Sequence, residues 1–128
     1  MVRKISLGGA SAVNHKEIIS RYNKHAMPMI VIGFDDGYDS DYRIAFPILQ
    51  ENGIRGTSWI CKNRGYNEDE VLSTEQIKEM ASAGHEFGCH TTTHAHLTTL
   101  TESQVIQEFK ENKEWIESVT GKPVYTHA

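Results

Sequence analysis

A strand-then-helix beat is the feature that most constrains this chain. Short apolar runs begin near Met29, Gly56, His85 and Pro123, and the first three each lead into a helical pattern. The interval is about 27–38 residues, the length of one βα unit. Such alternation predicts parallel strands with helices outside, in a sheet either open or curled toward a barrel. A complete (β/α)8 barrel takes about 250 residues. This chain has 128 and stops as a fourth strand begins. The expectation is an exposed sheet edge, in either the front half of a larger α/β barrel or a domain that closes by self-association.

The local signals are specific. Met29-Ile30-Val31-Ile32 has the β-branched run of a buried parallel strand. Before it, residues 14–25 read as a helix, with Ile18, Ile19 and Tyr22 on one face. The chain therefore divides into an N-terminal extension and helix, 1–27, and a main unit, 28–128. Asp39 or Ser40 can cap a helix to Asn52 with Ile44, Ile48 and Leu49 inward, and Pro47 should kink or shorten it. Gly53 ends it, and Gly56–Cys61 is the second strand. Ser73-x-x-Gln76 and Thr101-x-x-Gln104 are capping boxes. The first opens a helix with Ile77 and Met80 inward; the second opens a long helix striped by Val105, Phe109, Ile116 and Val119. Between them His85–Cys89 makes a third strand, and Val124-Tyr125 begins a fourth.

Composition removes several classes of function. The chain is 38% hydrophobic and 23% charged, an ordinary globular balance that argues against disorder. A net charge of -4 with scattered basic residues offers no nucleic-acid footprint. No apolar run approaches the ~20 residues of a membrane span. The N-terminus has a basic start without an apolar segment after it, so it is not a signal peptide. The expected location is the cytoplasm, or outside it after removal of an export signal. Cys61 and Cys89 are too few for a disulfide framework and read as buried free thiols.

Chemistry concentrates at two strand ends. Asp35 and Asp36 sit where the first strand finishes, and Gly37 lets the backbone turn away. Ligands gather at the carboxyl ends of parallel strands. Neighbouring strand residues point to opposite sides, so one carboxylate can hold a metal while the other handles a proton. After the third strand, His90-Thr-Thr-Thr-His94 places two imidazoles at i and i+4, the spacing of one face of a helical turn. Two imidazoles and one carboxylate make a three-ligand site with an open position for water. The same set suits zinc or non-haem iron. The usual iron-oxygenase order, H-x-D/E followed later by His, does not occur here, and it would leave the second Asp without a role.

Phe34-Asp35-Asp36-Gly37-Tyr38 and His90-Thr91-Thr92-Thr93-His94 resemble the first two motifs of the polysaccharide deacetylases, the carbohydrate esterases with a NodB-homology domain. Ala45–Leu49, Leu72–Gln76, Ala83-Gly-His-Glu86 and Thr120-Gly-Lys-Pro123 also resemble that family, so the likeness covers about residues 28–126. It implies an irregular barrel of (β/α)7 type, of which three to four βα units are present. It also implies a metal-dependent hydrolase that removes acetyl groups from N-acetylated polysaccharide, cleaving an amide that is not a peptide bond. Asp35 would be the general base, and Asp36, His90 and His94 would hold one divalent ion, usually zinc. Tyr38 would touch substrate, and is more similar to deacetylases of β-1,6-linked N-acetylglucosamine polymers than to chitin or peptidoglycan enzymes.

The departures are equally definite. The family's later motifs, which carry a Trp-lined pocket, an Arg that tunes the base and a His general acid, have no counterpart here. His127 does not match that acid. The expectation is a truncated chain of weak or no activity, and the competing reading is a non-catalytic metal- or glycan-binding remnant. Trp59 and Phe87 read as core or barrel-wall residues. His85 and His96 read as flanking groups able to support the ligands, and Asn63 as a group near the sugar.

Overall fold

The computed structural model describes residues 11–12, 29–65, 67 and 70–128. The helix expected over 14–25 lies outside the described residues. The centre is a three-stranded parallel sheet of β3 (Gly33–Asp36), β4 (Thr57–Ile60) and β5 (Glu86–Cys89), in that order. A separate parallel pair joins β1 (Ser11–Ala12) to β2 (Met29–Ile30). The register aligns Asp35 with Trp59 and Trp59 with Gly88, so the strands end together.

The first strand differs from expectation. Met29–Ile30 pairs with β1, and the central sheet begins only at Gly33. At the junction the Ile32 carbonyl accepts the Thr57 N–H at 3.0 Å. The aspartate pair therefore lies on the strand itself, with Asp36 its last residue. Gly37 follows at φ 74°, and a Cβ there would stand 2.8 Å from Ile60 Cγ2. Only glycine fits that turn.

The helix after this turn is also rearranged. Asp41–Ala45 forms a π-helical turn that leads into α1 (Phe46–Glu51). Pro47 has no N–H to continue the ladder, and the Phe46 N–H reaches back five residues to the Asp41 carbonyl. The wider turn shifts the helical phase. Phe46 and Leu49 are buried, whereas Ile44, expected inward, is 62% exposed.

Both capping boxes form. Ser73 caps α2 (Thr74–Ser82) and Thr101 caps α3 (Glu102–Thr120), each with its Gln reaching back to the cap N–H. Ile77, Met80 and Ile116 are fully buried against Ile60, Phe87 and Cys89 on one face of the sheet. Burying each such side chain is worth about 1.5–3 kcal/mol. Phe109 and Val119 of the predicted stripe pack against this cluster. On the other face the Trp59 ring lies across Gly33 and Gly88, where a Cβ would come within 2.2 and 2.4 Å of it. Trp59 and Phe87 are wall residues, as their setting in the sequence suggests.

After α3 closes at Gly121 the chain passes β5 without making the expected strand at Val124-Tyr125. One parallel bridge joins His127 to Cys89, with the Cys89 N–H on the Thr126 carbonyl at 2.9 Å. The result is a partial α/β barrel. The exposed-edge association remains an expectation of the strand order.

Candidate metal centre

The site lies at the carboxyl ends of β3 and β5. Asp36 leaves β3 at φ 81°, a left-handed conformation that costs a residue with a Cβ about 1–3 kcal/mol. Thr91 and His94 adopt the same region, at φ 66° and 58°. These are the three non-glycine residues of positive φ among the described residues, and all belong to this corner. The histidines do not share a helical turn, as their spacing suggested. They converge through an irregular loop, in which Thr91 Oγ1 accepts the His94 N–H at 3.0 Å.

The convergence is close. His90 Nε2 stands 3.3 Å and His94 Nε2 3.5 Å from Asp36 Oδ1, and the two rings are 5.0 Å apart. One oxygen and two nitrogens thus lie within 4.8 Å of one another. Two atoms each about 2.1 Å from one ion at the tetrahedral angle stand roughly 3.4 Å apart. The donor set and its spacing fit a divalent cation.

The tautomer points the same way. His90 Nδ1 bonds the Ala128 carbonyl, which can only accept, so Nδ1 carries the proton. Nε2 is thereby turned toward the Asp36 oxygen, where both atoms could serve one cation. His94 is held below the ordinary histidine range, first by burial and then by the Arg64, His90 and His96 charges, which favours its neutral, metal-ready form.

Other groups set the frame. Arg64 pairs with the second Asp36 oxygen, Oδ2, leaving Oδ1 to face the histidines. The same guanidinium lies 5.6 Å from the centre of the Tyr38 ring, which is partly exposed at the rim. Asp35 is exposed on the sheet face that carries Trp59, and its charge reaches His94. Cys61 Sγ bonds the His90 carbonyl at 2.8 Å, and burial pushes its thiol up to about 12, so it is not a thiolate ligand. The Asn63 N–H bonds the Thr92 carbonyl at 2.7 Å and so braces the histidine loop.

His85 is not a flanking group of this site. It is buried at the opposite end of β5, where Nε2 lies 3.2 Å from Ser58 Oγ, which in turn donates to Asp41 at 3.1 Å. His96 is exposed and starts the short 3-10 turn Leu97–Thr99. Sequence reasoning missed Arg64, Glu108 and Asn112. Of these only Asn112 left a signal, since it occupies the gap in the stripe between Phe109 and Ile116.

A profile of the polysaccharide deacetylases matches residues 22–128. The chain belongs to the polysaccharide deacetylase family. It is 32% identical over 103 residues to YxkH of Bacillus subtilis strain 168, named as a polysaccharide deacetylase, covering 80% of this chain and 36% of that one. It is 27% identical over 101 residues to a chitin deacetylase of Colletotrichum lindemuthianum, covering 78% of this chain and 41% of that one. The chain thus spans well under half the length of these curated relatives. Its fold matches the Streptococcus pyogenes deacetylase PplD, solved with acetate, at a TM-score of 0.84 and 21% identity, over 93% of this chain and 54% of that one. The three βα units described above are accordingly part of a (β/α)7-type deacetylase barrel.

Proposed function

We propose that this chain carries the metal site and the general base of a carbohydrate deacetylase that releases acetate from N-acetylated sugars of a polysaccharide. The observation that supports this most is the convergence of His90 Nε2 and His94 Nε2 on Asp36 Oδ1, at 3.3 and 3.5 Å. Asp36, His90 and His94 hold one divalent ion, with zinc best matched by two imidazoles and a carboxylate. When bound, such an ion supplies Lewis acidity to the acetyl carbonyl and lowers the pKa of water.

Asp35 takes the proton of the attacking water. It stands next in the chain to the ligand Asp36 but on the opposite side of the strand, exposed and, among the described residues, with no imidazole at 3.3 Å to occupy it. Amide cleavage then leaves a free amine on the sugar. Tyr38, at the rim, contacts the sugar. The family match and the named activities of relatives on chitin and other polysaccharides support this substrate class.

The test pairs metal content with acetate release from an N-acetylglucosamine oligomer. About one zinc per chain, lost in His94→Ala, and acetate release that falls ~10²–10⁴-fold in Asp35→Asn with zinc retained support the reading. Zinc binding without acetate release supports the alternative, a non-catalytic metal- or glycan-binding form. No zinc in the wild-type chain overturns the deacetylase reading and the metal-binding form of the alternative.

A further inference from the structure

We infer that Glu108, on α3, is the positioning residue that holds His90 and His94 in register for one ion. The inference rests on the metal-site reading above and names what makes that site form. His90 continues directly from β5, its N–H on the Ile60 carbonyl at 3.1 Å. His94 must then return across four residues to the same point. An extended chain cannot do this, and the loop does it with two left-handed residues, Thr91 and His94.

That turn leaves consecutive N–H groups of Thr92 and Thr93 pointing the same way, an anion-binding concavity. One carboxylate fills it. Glu108 Oε2 accepts the Thr92 N–H at 2.7 Å and the Thr93 N–H at 2.8 Å. Oε1 accepts the Thr93 hydroxyl at 2.8 Å, and the Glu108 carbonyl accepts the Thr92 hydroxyl at 2.9 Å. Four bonds from one residue therefore clamp the middle of the five-residue His90–His94 loop. Bonds from N–H to a carboxylate are charge-assisted and short. A carboxylate fourteen residues beyond His94 thus substitutes for the helix that the His spacing suggests. Glu108 touches neither imidazole; it acts through the loop.

Loss of Glu108 frees the two N–H groups to water and lets the strained turn relax, so His94 drifts from Asp36. Removing such a supporting partner ordinarily costs 10–100-fold in metal affinity. The test is zinc affinity of the 128-residue chain by competition with a chromogenic chelator, with cobalt(II) absorption as a second readout of ligand geometry. Glu108→Ala should weaken zinc about 10–100-fold and dim the cobalt bands. Glu108→Gln, which keeps a carbonyl for the N–H groups, should lose distinctly less. Glu111→Ala, on the same helix and bonded within it by Gln107, should bind as the wild type does.

A merely structural role would lower the melting temperature of the metal-free chain and leave zinc affinity unchanged in the folded protein. That result overturns the inference, and if Glu108→Ala does not fold, wild-type affinity in Glu108→Gln overturns it instead. A wild-type chain that binds no zinc overturns the metal reading and this assignment with it. A wild type that binds while both variants bind equally well overturns this assignment alone.

Discussion

Asn112 donates from Nδ2 to the Ile60 carbonyl at 2.7 Å, from the middle of α3 to the last residue of β4. Its Oδ1 accepts the Lys62 N–H at 2.9 Å, and its Nδ2 also lies 3.3 Å from Cys89 Sγ. The side chain is fully buried, so these bonds replace water that cannot reach the strand end. The helix that carries Glu108 is thereby tied to the sheet beside the metal centre. Asn112→Ala takes the partner from the Lys62 N–H and leaves the Ile60 carbonyl with only the His90 N–H, beside an empty space in the core. The expected loss is about 1–3 kcal/mol in a urea titration. Asn112→Asp keeps the acceptor for Lys62 and places a charge against the Ile60 carbonyl, so it should be no better.

Zinc should stabilise the chain without being needed to fold it. The core cluster lies under α2 and α3, on Ile60, Phe87 and Ile116, and none of its members is a metal ligand. Zinc at 100 times its dissociation constant should add about 2.7 kcal/mol. For a domain of this size that is a rise of roughly 10 °C in melting temperature. Chelation should reverse the rise and leave the far-ultraviolet circular dichroism unchanged. Asp36→Asn should abolish the rise. Asn tolerates the left-handed backbone that Asp36 adopts, so the loss would report the missing charge and not new strain.

The buried His85–Ser58–Asp41 chain makes a prediction about pH. Burial lowers the His85 pKa from 6.5 to about 4. Its folded form resists protonation, so its contribution is complete above pH 6.5 and lost as pH falls toward 4. Burial raises Asp41 from 3.8 to about 6, partly offset by the Ser58 bond. The folded state prefers the protonated acid, so this contribution is complete below pH 3.8 and lost as pH rises through 6. The two slopes oppose each other between pH 4 and 6. His85→Gln removes one of them. Relative to the wild type, the variant should gain about 2–3 kcal/mol on going from pH 6.5 to pH 4. Denaturant midpoints at half-unit pH steps would show it, and a pH-independent difference would contradict it.

Gly88 is the close approach on which Trp59 depends. A Cβ at Gly88 would stand 2.4 Å from Trp59 Cδ1 and 2.7 Å from Thr126 Oγ1. Trp59 Nε1 donates to that same hydroxyl at 3.2 Å. Gly88→Ala should therefore push the indole off its seat, break this bond and destabilise by about 1–3 kcal/mol. The tryptophan emission should shift to the red even at temperatures where the chain remains folded.

The periodic elements and the candidate ligands were legible in the sequence. Capping boxes at Ser73 and Thr101, and the stop at Gly121, act within one turn of chain, so local chemistry is enough to place them. The Asp-Asp-Gly and His-x-x-x-His segments marked two carboxylates and two imidazoles at strand ends, and the family resemblance singled out Asp36, His90 and His94, the three that the structure brings together. The start of the first strand and the inner face of the helix after it were misread. The strand break at Val31-Ile32 depends on pairing with Ser11–Ala12, and the π-helical turn at Asp41–Ala45 shifts the face by a fraction of a turn.

The tertiary structure alone decided how the ligands meet. His90 and His94 converge through left-handed backbone and not through a helix, because a carboxylate from α3 and a hydroxyl from Thr91 hold a loop that would not close by itself. It also decided that His85 belongs to the far end of the sheet, and that Arg64 and the Ala128 carbonyl orient Asp36 and His90. Apart from the local Thr91 bond, each of these is a contact across 15 or more residues. Residue types and short spacings determine which groups could do the chemistry; long-range packing determines which of them share one point in space.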